Sequence, residues 1–292
     1  MSSYYYDNTK MSDFQECPRK FAIRHIWDLV PNNKSMPLYF GEFMHDCLSK
    51  WYETGDEEQA LAIWEEYEDN QWDEKRTKSK GIDIFKEYVK TYPTEPFKIL
   101  ANELPFEVLI KREYGHEFYL TGKIDLVVEW HGGNKYILDH KTSSRLGSTY
   151  FKQFKPGRQM LGYCFATQEL LDIDITGAFI NALAVYKSKF AFERGLVSFT
   201  PRDFAEYIFI IPRIMQEMAV AERNYAHDVE VFDNYSPWDI MNSHFLPNWD
   251  SCFNWGGCPY RDICKSHGAK SVIDAGYREE HWDPREEFKK DD

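Results

Sequence analysis

The sequence predicts an α/β protein with a mixed central sheet between layers of helix. Three observations carry this. Alternating or apolar stretches near 103–112, 117–130, 135–141, 175–187 and 192–199 read as strands. Segments of helical period precede, interrupt and follow them. With 292 residues, 43% of them hydrophobic, the chain is long enough to bury one large core with helical additions.

In order, Ser12 with Gln15 forms a capping box opening a helix that carries Cys17 and runs toward Trp27. Phe40, Phe43, Met44, Leu48 and Trp51 make the apolar stripe of the next helix, with His45 at its flank. An acidic, aromatic helix is expected over about 57–75 and another over about 81–91. After the first three strands, Gln159 and Tyr163, four apart, share a face of a helix over about 157–171. Beyond the last two strands, Thr200-Pro201 supplies an N-cap and first helical residue for a long helix to about 225. This order gives a three-layer α/β/α core. Residues 1–275 are read as one domain and 276–292 as a charged tail.

The chemistry concentrates in one hairpin. Gly122-Lys-Ile-Asp125 and Ile137-Leu-Asp139-His-Lys141 flank the turn His131-Gly-Gly-Asn134. Phe118, Leu120, Ile124, Leu126 and Val128 share one strand face, which places Asp125 on the other. Asp139 and Lys141, two apart, point the same way. If the two carboxylates share a site, partner numbers across the hairpin must sum to an even value. Trp130 then pairs with Asn134 or Tyr136. Carboxylate oxygens suit Mg²⁺ or Mn²⁺, and a lysine beside them stabilises developing negative charge or helps activate a water. The plain alternative is a solvated cross-strand Asp–Lys pair.

Taken in order, Gly41/His45, Gly122/Asp125, Asp139/Lys141 and Gln159/Tyr163 resemble the RecB-like branch of the PD-(D/E)XK nuclease superfamily. The resemblance spans roughly 12–265 and implies a restriction-endonuclease-like core. It implies that Asp125 and Asp139 bind Mg²⁺ or Mn²⁺, with His45 and the backbone carbonyl of His140 completing the site. Lys141 would be catalytic, Gln159 and Tyr163 would position it or the DNA backbone, and Glu103 would lie just behind the ligands. The third motif carries Asp139 where Glu is common.

Cys17, Cys252, Cys258 and Cys264, one early and three late, resemble the iron–sulfur clasp of AddB-type nucleases and CRISPR-associated RecB-like exonucleases. The implied cofactor is a [4Fe–4S] cluster, with zinc as the rival. The late Cys-x₅-Cys-x₅-Cys spacing departs from some of those relatives. Cys47 and Cys164 fall within helical patterns and read as core thiols. Disulfides are not expected, since the chain opens without an apolar signal segment.

No apolar run approaches the length of a membrane span, so no membrane partner is expected and the reading is cytoplasmic. The net charge of −13 opposes nucleic-acid binding if read globally, but its distribution does not. Residues 140–168 contain no Asp or Glu and include Arg145, Lys152, Lys155 and Arg158, read as a phosphate track. Tyr150, Phe151 and Phe154 interleave with it, as stacking platforms or as core. Residues 53–74 hold ten acidic residues and no Lys or Arg, read as a solvated face. The resulting expectation is a metal-dependent DNA nuclease acting on single strands or free ends in replication, recombination or repair, in a bacterial or phage setting. The rivals are a non-catalytic DNA-binding adaptor and a nuclease subunit serving a helicase, recombination or integrase partner. No Walker-type loop is present, so any motor would be another protein.

Overall fold

The computed structural model describes residues 2–33, 35–155, 157–187, 189–281, 283 and 285. They form two compact units, each assembled from separated stretches: Lys34–Phe106 with Lys123–Tyr207, and Met1–Asn33 with Glu107–Gly122 and Ile208–Asp292. In chain order the elements are β1 (Ser2–Tyr6), α1 (Asn8–Glu16), α2 (Pro18–His25), β2 (Leu29–Pro31), α3 (Met36–Thr54), α4 (Glu57–Ala62) and α5 (Lys78–Thr91). There follow β3 (Phe97–Glu113), β4 (His116–Trp130), β5 (Lys135–Ser143), α6 (Arg158–Leu171), β6 (Gly177–Val185), β7 (Phe190–Ser198) and α7 (Pro201–Val231). The chain continues through α8 (Pro237–His244), a 3-10 stretch at Trp249–Gly256, α9 (Arg261–Lys265), α10 (Lys270–Gly276) and β8 (Tyr277–Glu279).

In the unit of residues 34–106 and 123–207, the second half of β4 pairs antiparallel with β5, β5 parallel with β6, and β6 antiparallel with β7. This is the expected mixed α/β sheet. A parallel pair needs a crossover, and α6 supplies it between β5 and β6. The hairpin register is Leu126↔Leu138 through Glu129↔Lys135. The Trp130 N–H donates to the Asn134 carbonyl at 2.8 Å, closing a loop over His131, Gly132 and Gly133. The partner numbers therefore have the even sum that a shared carboxylate site requires.

Both sheet faces are covered, so the alternation read in β4 does not separate core from solvent: Val127 is as buried as Leu126 and Val128. On one face Leu183 and Val185 pack with Phe40, Met44 and Leu48 of α3, Trp64, and Ile84, Phe85 and Tyr88 of α5. On the other, α6 lies against β5 and β6. There Ala178, Ile180, Ala182 and Ala184 are fully buried, and the three alanines are small side chains that let the helix approach closely. The segment expected as one helix over 57–75 is instead α4 and a 3-10 turn ending at Glu66. Its apolar anchor, Trp64, is fully buried, and beyond Glu66 the acidic residues lie in irregular chain and turns. Thr200 and Asp203 cap α7 reciprocally, the Thr200 N–H reaching Asp203 Oδ2 at 2.6 Å and the Asp203 N–H reaching Thr200 Oγ1 at 3.3 Å.

In the other unit, β1 lies parallel to the start of β4, with Tyr5 stacked on Tyr119 at 5.0 Å. The first helix begins earlier than the Ser12 box suggests: Asp7 is the cap, its Oδ1 accepting from the Lys10 N–H at 2.6 Å. It also ends sooner. Cys17 is extended, and Pro18, which lacks an N–H, opens α2 at its first position. The tail read from residue 276 starts in structure, because Tyr277–Glu279 pairs antiparallel with Leu29–Pro31. Residues 282, 284 and 286–292 of that tail lie outside the described residues.

Glu222 of α7 makes this unit pH-sensitive. Burial drives its carboxyl from the ordinary 4.5 up to about 7, against the pull of Lys10 and of the neighbouring Tyr6 hydroxyl. The folded state keeps this proton after the unfolded chain has lost it. The stabilisation is complete below pH 4.5 and lost as pH rises to about 7. Its full size is about 3 kcal/mol. Glu222→Gln should remove that term, leaving the variant more stable than wild type at pH 8 and similar at pH 4.5. Urea midpoints at the two pH values check this, and equal wild-type-minus-variant differences at both would refute it.

Candidate active site

Asp125 and Asp139 face each other where the β4–β5 ladder stops. Extending the register one step beyond Leu126↔Leu138 sets them opposite. There the strand pairing gives way to a side chain: the backbone N–H of His140 donates to Asp125 Oδ2 at 2.7 Å. His45 of α3 reaches the same oxygen, Nδ1 to Oδ2 at 3.3 Å. α3 comes this close because residue 41 has no side chain; a Cβ there would meet Thr142 Oγ1 at 3.1 Å. Lys141 Nζ lies 2.5 Å from Asp139 Oδ2. Asp139 and Lys141 have Ile180 and Ala182 as strand partners and so share the α6 face, on which Gln159 and Tyr163 sit. Gln159 Nε2 donates to the Tyr163 hydroxyl at 3.1 Å, and the Tyr163 ring meets Phe106 edge-on at 5.7 Å.

The electrostatics are those of two crowded carboxylates. Asp125 is 9% exposed and Asp139 1%. Burial opposes ionisation of Asp125, but His45 first, then His140 and Lys141, together outweigh it and hold the carboxyl well below the usual range. Asp139 is pushed up, by burial first and by the charge of Asp125, against Lys141. Burial disfavours the Lys141 ammonium, yet the two carboxylates more than compensate and raise its pKa. His45 is likewise raised by Asp125 in spite of burial. Glu103 stands close by. It holds a left-handed φ of 49°, rare for a side chain of this kind, and pairs with Lys123 Nζ at 2.6 Å. Burial and Asp125 raise its pKa against that lysine.

These groups can polarise a bound phosphodiester and hold a cation. Two hard carboxylates suit Mg²⁺ or Mn²⁺, which keep several waters and need few protein ligands. Among the described residues, no three His, Cys, Asp or Glu side chains are arranged to hold a metal ion. His45 turns its Nδ1 to Asp125 rather than standing as a third free donor, and the His140 N–H braces the same carboxylate.

The expected phosphate track is uneven. Arg145 and Lys152 are exposed. Lys155 is engaged, donating to the Ser198 carbonyl at 2.6 Å with Asp203 at 3.5 Å. Arg158 is half-buried near Tyr207, and burial lowers its pKa. Phe151, half-buried, packs against Gly195. In the other unit, Cys17 is buried and Cys252, Cys258 and Cys264 are partly so. Burial raises the Cys258 thiol, with Cys17 and Cys252 adding to it. Burial lifts Cys264 to about 11, Arg19 opposing and Cys258 and Cys17 adding. Cys258 thus lies within electrostatic reach of Cys17 and Cys252, and Cys264 within reach of Cys17 and Cys258. Cys47 and Cys164 are fully buried, as expected of core thiols.

One set of polar residues escaped the sequence reading. Tyr52, Tyr88, Glu95, Asn181 and Arg194 converge behind His140. The available signals were an Asn inside the apolar run 177–185 and an Arg inside the alternating run 190–198.

A mixed sheet between helices, with an opposed Asp pair and a lysine two residues beyond the second Asp, is the arrangement of a class of nucleases. The profile of the PD-(D/E)XK nuclease superfamily matches residues 8–265, and the chain belongs to that superfamily. Its members are nucleases that use divalent metals such as Mg²⁺ or Mn²⁺ and act on DNA. Among solved structures, the chain is similar to a Eubacterium rectale protein described as a candidate exonuclease. Identity is 14% over 90% of this chain and 87% of that one, with a TM-score of 0.44. It is also similar to SSO0001, with 13% identity over 73% and 84% of the respective chains and a TM-score of 0.31. No curated protein matches. Among the described residues no helix is long and apolar enough to cross a membrane.

Proposed function

We propose that this chain is a divalent-metal-dependent deoxyribonuclease acting on single strands or free ends. The observation that carries the reading is the opposition of Asp125 and Asp139 at the end of the hairpin ladder, with Lys141 held against Asp139. Asp125 and Asp139 would hold the cation. When bound, it lowers the pKa of a water and offsets charge building on the phosphate. Lys141 keeps its proton and presents a positive charge to the phosphoryl oxygens. His45 and the His140 N–H fix the Asp125 carboxylate. The test is incubation of anaerobically purified protein with end-labelled single- and double-stranded DNA and Mg²⁺ or Mn²⁺. Metal-dependent shortening supports the reading. Binding without cleavage under every condition overturns it in favour of an adaptor.

DNA would reach the site along the exposed cations. Arg145→Gln with Lys152→Gln should weaken binding to all sequences alike and reduce the log–log salt slope by about 0.7 per lost single-strand contact. Lys155→Gln should change the slope less, because that ammonium is already spent on Asp203 and Ser198. Affinities for a labelled single strand at several salt concentrations decide it; an unchanged slope in the double variant would take the track elsewhere.

We extend the proposal to a [4Fe–4S] cluster on Cys17, Cys252, Cys258 and Cys264. What supports it is the electrostatic reach of Cys258 to Cys17 and Cys252 and of Cys264 to Cys17 and Cys258, Cys17 standing over two hundred residues from the others. A cluster spreads its thiolates wider than a single ion does, so the lack of a tight ligand set is compatible with it. Iron and acid-labile sulfide should be present in stoichiometric amounts and lost in Cys17→Ala. Stoichiometric zinc in their place would replace the cluster with the rival metal.

A further inference from the structure

His140, Asn181 and Arg194 form one row across three strands: His140 pairs with Asn181 and Asn181 with Arg194. The row lies on the face covered by α3 and α5, opposite to Asp139 and Lys141. Glu95 anchors it, accepting from Arg194 Nη1 at 2.5 Å, Arg194 Nη2 at 2.7 Å and the Tyr52 hydroxyl at 2.7 Å. The guanidinium also lies 3.8 Å over the Tyr92 ring.

Every proton in this network has a forced position. Arg194 Nε can only donate, so the Asn181 atom 3.2 Å away is the amide oxygen. The Asn181 nitrogen therefore faces the Tyr88 hydroxyl at 2.9 Å and His140 Nδ1 at 2.7 Å, and donates to both. Tyr52 spends its proton on Glu95, so across the 2.6 Å contact Tyr88 donates to Tyr52. Tyr88 is then free to accept from Asn181 and from Arg194 Nη2 at 2.7 Å. His140 Nδ1 is left as an acceptor, and the ring proton belongs on Nε2. The Tyr52 ring stacks on the imidazole at 5.7 Å and 10°, and His45 meets it edge-on at 5.8 Å. The ring is thus fixed in tautomer, plane and depth.

We propose that Asn181 and Arg194, held by Glu95, Tyr52 and Tyr88, are positioning residues for the carboxylate site. Through Asn181 they lock the His140 ring, and the locked residue aims its backbone N–H at Asp125 while holding Asp139 and Lys141 on either side. This rests on the nuclease reading only for its kinetic consequence. Partners behind metal ligands typically set affinity or activity by 10–100-fold. Asn181, Arg194, Glu95, Tyr52 and Tyr88 satisfy one another and His140 Nδ1, while His140 Nε2 meets no partner among the described residues, so the ring is held from the Nδ1 side and one reversed member there disturbs it.

Asn181→Asp is nearly isosteric and exchanges the donor to His140 Nδ1 for an acceptor. Asn181→Leu removes the donor without adding charge and serves if the first variant does not fold. Side-chain ¹⁵N spectra should show the Nε2–H tautomer of His140 in wild type, the Nδ1–H tautomer in Asn181→Asp, and a mixture in Asn181→Leu. Mn²⁺ affinity by calorimetry should fall about 10–100-fold in either variant. The kcat for a single-stranded oligonucleotide, taken per folded molecule as counted by circular dichroism, should fall by a similar factor while KM stays within about twofold. An Nδ1–H tautomer in wild type overturns the inference, as does a folded variant with wild-type Mn²⁺ affinity and kcat. If wild type cleaves no DNA, the proposed function falls, and the tautomer and Mn²⁺ measurements still decide this inference.

Discussion

Asp139→Asn should lower kcat for DNA cleavage by on the order of 10²–10³-fold or more, and it should do so without destabilising the metal-free protein. The two halves follow from the same geometry. The carboxylate is 1% exposed and stands across from Asp125, so its charge is disfavoured in the absence of a cation. Asparagine removes the repulsion and keeps the shape. Function and stability are set against each other here, as they are where a site holds unfavourable charge for its task. Lys141→Met should lose activity to a similar degree but behave oppositely in unfolding, because it strands a buried carboxylate, at a cost of up to about 3–5 kcal/mol. The double variant should recover stability and be no less active than either single one, because the groups act as a unit. Steady-state kinetics with Mg²⁺ and urea midpoints without it provide the test. An Asp139→Asn enzyme near wild-type rate would dismiss the assigned chemistry. Strong destabilisation of that variant would mean the carboxylate is structural.

The largest stability effect should come from Arg194→Met. The Arg194 side chain is 9% exposed and that of Glu95 17%, and the pair is bidentate. Removing the guanidinium leaves Glu95 with only the Tyr52 hydroxyl and takes a donor from Asn181 and Tyr88. The expected loss is about 3–5 kcal/mol. Glu95→Gln combined with Arg194→Met should recover much of it, since the cost lies in the uncompensated charge and not in the lost pair itself. Lysine at 194 should rescue poorly, because an ammonium cannot reproduce the fork that meets Glu95, Tyr88 and Asn181 together. Denaturation of the three variants against wild type measures this. A single variant within 1 kcal/mol of wild type would show the pair to be solvent-screened.

Much of the scaffold was legible before the structure. Five strands and the helix carrying Gln159 and Tyr163 lie within a few residues of their expected places, apart from β3, which starts earlier at Phe97. The hairpin could be read because its signals are local: a Gly-Gly turn, alternating apolar residues, and a parity rule that allowed few loops. The charge window was legible only as composition. Whether Lys152 is exposed or Lys155 is bound to Asp203 depends on where α7 begins relative to the 3-10 turn at Tyr150–Phe154, and spacing along the chain carries no such information. The helix break at Cys17 was written in Pro18 and was overridden by the stronger-looking Ser12 box.

The sequence by itself determined the α/β class, the hairpin and the residues that could do chemistry in it, because period, turn and residue type act over a few positions. Tertiary structure alone decided that both sheet faces are dry, that His45 turns to Asp125, and that Asn181 and Arg194 stand in a row with His140. Those facts depend on register between strands forty residues apart and on helices packed across them. A buried Asn or Arg in an apolar run looks like an error until the partners that satisfy it arrive from elsewhere in the chain.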